Sequence, residues 1–166
     1  MRSKLDTDAT LVVRTFGQSR VLLVASPELL KRTGHPKELS ELSQMPALTN
    51  QEHEGAQSWE LLDASGDRVI VDIQPRLICG DFNALLQSCK AGVGVTLLPE
   101  FVCGPSIERG ELEVVLPDWS VPQGTMHFVY PSRRGLLPGV RAFVDFLADK
   151  LPDTVREKHA QCSKYV

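Results

Sequence analysis

No apolar run in these 166 residues approaches the ~18–20 needed to cross a bilayer as a helix. The opening Met1-Arg2-Ser3-Lys4 is basic but has no apolar stretch behind it, so no secretory leader is expected. Cysteine is scarce. Cys79, Cys89, Cys103 and Cys162 include no C-x-x-C pair, and a structural zinc site needs close pairs to close its tetrahedron. Positive charge is also short, at 18 Lys and Arg against 21 Asp and Glu, which leaves no global cationic footprint for nucleic acid. There is no G-x-S-x-G elbow and no G-x-x-x-x-G-K-[ST] loop. Nothing pairs a nucleophile with a base, so no enzyme is expected. There is no internal repeat and no low-complexity tract. Without a leader, reduced thiols in a cytoplasm are the natural reading.

What is present is ordinary globular material. Hydrophobic residues make up 42%, enough for a core and too many for a disordered chain. Charge is blocked. Residues 1–35 hold six Lys/Arg against three Asp/Glu, residues 36–125 five against fourteen, and residues 126–166 seven against four. An acidic middle between two basic ends suggests that the ends belong together and the middle is a unit of its own.

Thr10–Phe16 and the continuous apolar run Val21–Ala25 read as strands. Ser26-Pro27-Glu28 supplies an N-cap, a first-turn proline and an acid for the positive end of a helix that Gly34 should stop. A second short helix fits Pro36–Leu42. Strands follow at Pro46–Asn50, at Trp59–Asp63 and Arg68–Ile73 about a turn, and at Arg76–Cys79, with Gln51–Gln57 as a polar loop. Asp81 should cap a helix whose stripe is Phe82, Leu85, Leu86 and Cys89. Gly92 ends it, Gly94 permits close packing, and Val93–Leu98 is a strand halted at Pro99. Two short helices near Pro99–Gly104 and before Gly110, strands at Leu112–Leu116 and Thr125–Tyr130, and a helix from Pro138 stopped by Pro152 complete the pattern. The stripe Val140, Phe143, Val144, Leu147 reads as core packing. Alternating strands and helices argue for an α/β domain with a largely parallel sheet.

Ordered segments then carry a resemblance. They are Leu22–Leu30 with Gly34 and Pro36, Trp59-Glu60-Leu61, Gly80–Leu86, Ala91-Gly92-Val93-Gly94, Leu97-Leu98-Pro99, Gly110-Glu111-Leu112, Leu116–Trp119, Val129-Tyr130-Pro131 and Leu137–Leu147. Together, over residues 5–150, the chain resembles the effector-binding domain of LysR-type transcriptional regulators. That resemblance implies a periplasmic-binding-protein-like (type 2) fold, with a complete second lobe and part of the first. Residues 1–19 would be a first-lobe remnant, 20–123 the second lobe, 124–152 the returning strand and last helix, and 153–166 a polar tail. It implies a small metabolite bound between lobes, no cofactor, a homo-oligomer (dimer or higher), and no membrane. DNA would be reached only through a helix-turn-helix that these residues do not include. The alternative is an oligomerisation module that pairs with an intact regulator through the exposed first-lobe remnant.

The resemblance implies that Thr49, Asn50 and Gln51, after a strand, face the effector, and the helix N-terminus at Asp81, Phe82 and Asn83 completes the candidate effector site. Thr and Asn side chains both donate and accept, and a helix start offers free N–H groups. Asp81 would itself repel an anion. Glu52-His53-Glu54 is read as a solvated loop and not a metal site, because adjacent side chains in an extended loop diverge. Gly92-x-Gly94 is not a dinucleotide loop, since it runs helix, glycines, strand.

Overall fold

The computed structural model describes residues 11–50, 57–122, 124–131 and 137–162. They divide into two compact units, one built of Arg20–Pro122 and the other of the first and last strands with the final helix.

The larger unit holds six strands: β2 (Val21–Ala25), β3 (Pro46–Thr49), β4 (Gln57–Leu62), β5 (Arg68–Ile78), β6 (Val95–Pro99) and β7 (Glu113–Val114). Their order in the sheet is β4-β5-β3-β6-β2-β7. The sheet is mixed rather than largely parallel. β3 runs parallel to β5 and β6, whereas β2 is antiparallel to β6 and β7, and β4 to β5. The parallel part sits at the centre, where apolar runs with both faces covered belong.

Alternate residues of these strands feed two cores. Leu23, Ala25, Ala47 and Val95 pack with Leu29, Leu30, Leu42, Trp59 and Leu61 on one face. Leu22, Val24, Leu48 and Leu98 pack with Leu85, Leu86, Cys89, Cys103 and Leu112 on the other. The first face is covered by α1 (Pro27–Thr33) and α2 (Leu39–Leu42), and the second by α3 (Phe82–Lys90) and α4 (Glu100–Glu108).

Local signals set several ends. Ser26 Oγ accepts from the Leu29 N–H at 3.2 Å, and Gly34 turns out of α1 at φ 89°. Gly92, at φ 72°, sits after α3 in the left-handed region. Its N–H donates to the Cys89 carbonyl and that of Val93 to the Ser88 carbonyl, the paired bonds of a Schellman ending. Arg32 then ties α1 to this turn through the Gly92 carbonyl at 2.7 Å.

Prolines mislead as punctuation. Arg68–Ile73 and Arg76–Cys79 are not separate strands but one, β5, which continues through Pro75. Its first half pairs with β4 and its second with β3, and a register shift after Ala47↔Pro75 leaves Arg76 as an extra residue. The two short helices expected after Pro99 are one, α4, with Pro105 inside it. α2 is shorter than Pro36–Leu42, and β7 is two residues rather than Leu112–Leu116.

The smaller unit pairs β1 (Leu11–Ser19) antiparallel with β8 (Gly124–Pro131), and α5 (Pro138–Cys162) packs beside them. Phe128 stacks on Phe16 and on Tyr130 at 5.8 and 5.9 Å between ring centroids, and Arg14 meets Asp145 at 3.7 Å. α5 does not stop at Pro152 but runs on to Cys162, absorbing the loss of one backbone donor. Its apolar stripe is not simply core. Val144 is buried, but Phe143 is 60% and Phe146 58% exposed.

A carboxylate network closes the seam between α3 and α4. Glu111 takes Lys90 at 2.8 Å and Arg109 at 3.0 Å. The Arg109 hydrogen bond, then those of Lys90 and Ser106, holds the Glu111 carboxyl at about 2, below its ordinary 4.5. A depressed carboxyl stabilises the fold above its ordinary value and loses that contribution as pH falls toward the folded one. The stability difference between wild type and Glu111→Gln should therefore shrink between about pH 7 and about pH 3. Denaturant midpoints measured at both pH values check this. A constant difference would contradict it.

Candidate functional site

Three neighbouring parallel strands end on one edge of the larger sheet: β5 at Ile78, β3 at Thr49 and β6 at Pro99. Thr49 pairs with Ile78, and its carbonyl accepts from the Cys79 N–H at 2.9 Å. Two residues further on, Asp81 begins α3. This is the edge at which open α/β sheets hold ligands.

The sequence-derived candidates separate cleanly. Thr49 is buried, at 3% exposure, and Asn50 is half-buried just beyond the strand end. Asp81 and Asn83 are exposed, and Phe82 is half-buried against the second core. The fold therefore brings Thr49, Asn50, Asp81, Phe82 and Asn83 to one edge. Gln51 and Glu52-His53-Glu54 lie outside the described residues. Asp81 Oδ1 accepts from the Ala84 N–H at 2.9 Å, so the carboxylate is itself the N-cap.

Three residues at this edge escaped sequence reasoning. Ile78, the last of β5, is 43% exposed, and Phe101, in the first turn of α4, is 48% exposed. Glu100 starts α4 directly after β6, is 3% exposed, and donates its N–H to the Arg20 carbonyl. Its signal was readable: Leu97-Leu98-Pro99-Glu100 repeats the strand-then-acid pattern that ends at Asp81.

Cysteine chemistry is uneven. Burial, followed by the neighbouring Cys103, pushes the Cys89 thiol up to about 12. Cys89 and Cys103 are fully buried, whereas Cys79 is only partly so. Alkylation with peptide mapping should therefore modify Cys79 in the native protein, and Cys89 and Cys103 only after unfolding. Native modification of Cys89 would contradict this packing.

Among the described residues, no group of three or more His, Cys, Asp or Glu could hold a metal ion, and no helix is long and apolar enough to cross a membrane. A surface depression of about 450 Å³, lined by Thr33, Gly34, His35, Pro36, Glu41, Gln44 and Met45, borders the amino end of β3. It lies apart from the carboxyl edge, and most of its lining is exposed.

A mixed sheet with helices on both faces is of the periplasmic-binding-protein-like, type 2, α/β class of regulatory domain. The model of the LysR substrate binding domain matches residues 1–152, and the chain belongs to that family. An HTH-type transcriptional regulator of Xanthomonas campestris is 31% identical over 159 residues, covering 93% of this chain and 46% of the relative. The regulatory domain of CrgA, a LysR-type regulator from Neisseria meningitidis, superposes with a TM-score of 0.74 at 30% identity, covering 89% of this chain and 72% of that one. The regulatory domain of AphB from Vibrio vulnificus gives 0.70 at 27%, covering 86% and 69%. The chain thus spans about half the length of the curated relatives it matches. Its relatives are transcription regulators, a family without catalysis as its task.

Proposed function

We propose that this chain senses a small metabolite at the carboxyl edge of β5, β3 and β6, and that the bound state is passed to DNA by a helix-turn-helix of the whole regulator. The observation that carries this is the meeting of Thr49 and Asn50 with Asp81, Phe82 and Asn83 at that edge, in a chain of LysR family. Gln51, next in sequence, is counted with them. Holding the metabolite between two lobes, residence in the cytoplasm and assembly as a homo-oligomer belong to the same proposal. A ligand would act by its differential affinity for two arrangements of the domain.

The test is a thermal melt against a panel of small carboxylates, aromatics and amines. A compound at 100 times its dissociation constant adds ~2.7 kcal/mol, a shift of roughly 5–10 °C. Asn50→Ala should abolish that shift. A shift that Asn50→Ala leaves intact would place the ligand elsewhere.

A second reading rests on a separate observation. Phe143 and Phe146 expose apolar surface on α5, as an oligomerisation module would. That reading requires a melt that rises with protein concentration and is flattened by Phe143→Asp.

A further inference from the structure

We infer that Pro117–Val121 is a strap hinged at Leu116. It lifts off the larger unit as one piece while the sheet beneath stays intact, and its release lengthens the link to β8.

The strap leaves the core at a strained residue. Val115 is anchored, donating its N–H to the Leu23 carbonyl at 2.9 Å. Leu116 follows at φ 49°, the one residue other than glycine with a positive φ among the described residues. Leucine is disfavoured there because its Cβ crowds the backbone. The residue before a proline also prefers an extended backbone, and Pro117 comes next. Burial holds Leu116 in place, since its side chain is 7% exposed within the first core.

Beyond the hinge the strap is held lightly. The Trp119 N–H closes a turn on the Leu116 carbonyl at 2.9 Å, which ties the strap only to its own hinge. Leu62 and Ser120 exchange two backbone bonds, of 2.8 and 2.9 Å, on the outer edge of β4. Pro117 and Pro122 have no N–H to add. Trp119 and Val121 pack against the first core but are only half-buried, and Pro117, Asp118 and Ser120 are exposed. Strain at one end and a single bridge at the other mark a segment that opens before the sheet it covers.

Release matters because of where the strap leads. The chain crosses between the two compact units at Ser19–Arg20 and at Pro122–Gln123. At the first crossing, a single residue, Arg20, joins β1 to β2 and leaves no slack. The second crossing follows the strap and reaches β8 at Gly124. Freed, Pro117–Val121 adds about 17 Å of extended chain to it. The strap therefore sets the reach of β8 from the larger unit, with Arg20 as the pivot.

Amide hydrogen exchange of the full chain tests this, followed by NMR at rising urea below the unfolding transition. Strand alternation turns the Leu62 N–H toward the strap and those of Trp59 and Leu61 toward β5. Leu62 and Ser120 should be protected at least about tenfold less than Trp59 and Leu61. Their exchange should be nearly independent of urea, because release exposes little surface, whereas exchange at Trp59 and Leu61 should climb steeply. Limited chymotrypsin digestion of the native chain reads the strap as a whole. Cleavage after Trp119 should precede cleavage after Trp59. Equal protection of the four amides with one urea dependence, or cleavage after Trp119 no earlier than after Trp59, overturns the inference.

Discussion

Trp59→Ala is expected to lower stability by about 3–5 kcal/mol, the cost of emptying a large buried aromatic site. Trp59 is 1% exposed, lies on β4 opposite Val71, and shares its core with Leu61, Ile73, Leu29 and Leu42. β4 is the outermost strand on its side of the sheet, so the tryptophan holds an edge that has backbone partners on one flank, apart from the bridge between Leu62 and Ser120. The loss corresponds to a fall in melting temperature on the order of 10 °C. Urea unfolding followed by circular dichroism checks it. A loss below about 1 kcal/mol would mean that β4 contributes little to the larger unit's core.

Gly94→Ala is expected to destabilise as well, though less than Trp59→Ala and though it adds a single methyl. A Cβ at Gly94 would stand 2.6 Å from the Pro46 carbonyl oxygen, 3.0 Å from its carbon and 3.2 Å from Leu48 Cδ2. Two of those atoms are backbone, so relief requires β3 and β6 to separate. Overpacking of this kind costs ~1–3 kcal/mol. β3 ends in Thr49, so the displacement should carry to the candidate site and weaken ligand response beyond the loss of stability. Gly92→Ala makes a useful comparison. Its φ of 72° strains any side chain, but the nearest atom to a Cβ is Ser26 Oγ at 3.5 Å. It should destabilise without weakening ligand affinity. Titrating each variant with a compound that stabilises the wild type separates the two effects. Unchanged affinity in Gly94→Ala would contradict the link between this packing and the site.

Elements specified by their own residues were legible in the sequence. Ser26-Pro27-Glu28 with Gly34, and Asp81 with Gly92, bound their helices within a few positions and needed no distant partner. Proline was misread wherever tertiary packing outweighed it. Pro75 falls where β5 changes partner, and Pro105 and Pro152 sit in helices that tolerate the loss of one hydrogen bond. The stripe on α5 was misread for the opposite reason. Periodicity reports an apolar face, and whether that face is covered depends on what packs there. Here only Val144 of Val140, Phe143, Val144 and Leu147 is buried.

The candidate site divides the same way. Thr49, Asn50, Asp81, Phe82 and Asn83 were reachable because each follows a strand end, and the family resemblance aligned them. Ile78 and Phe101 were not. Their nearness to Thr49 comes from the order β5-β3-β6, which sets together strands far apart in the chain. No local spacing encodes that order.

The most direct test of the effector site is a map of backbone amide shifts in isotope-labelled protein, recorded with a compound that raises the melting temperature. The account predicts the largest changes at Thr49, Asn50 and Asp81–Asn83, with smaller ones at Ile78 and Phe101. Changes confined to the depression around His35 and Glu41, or to α5, would contradict it.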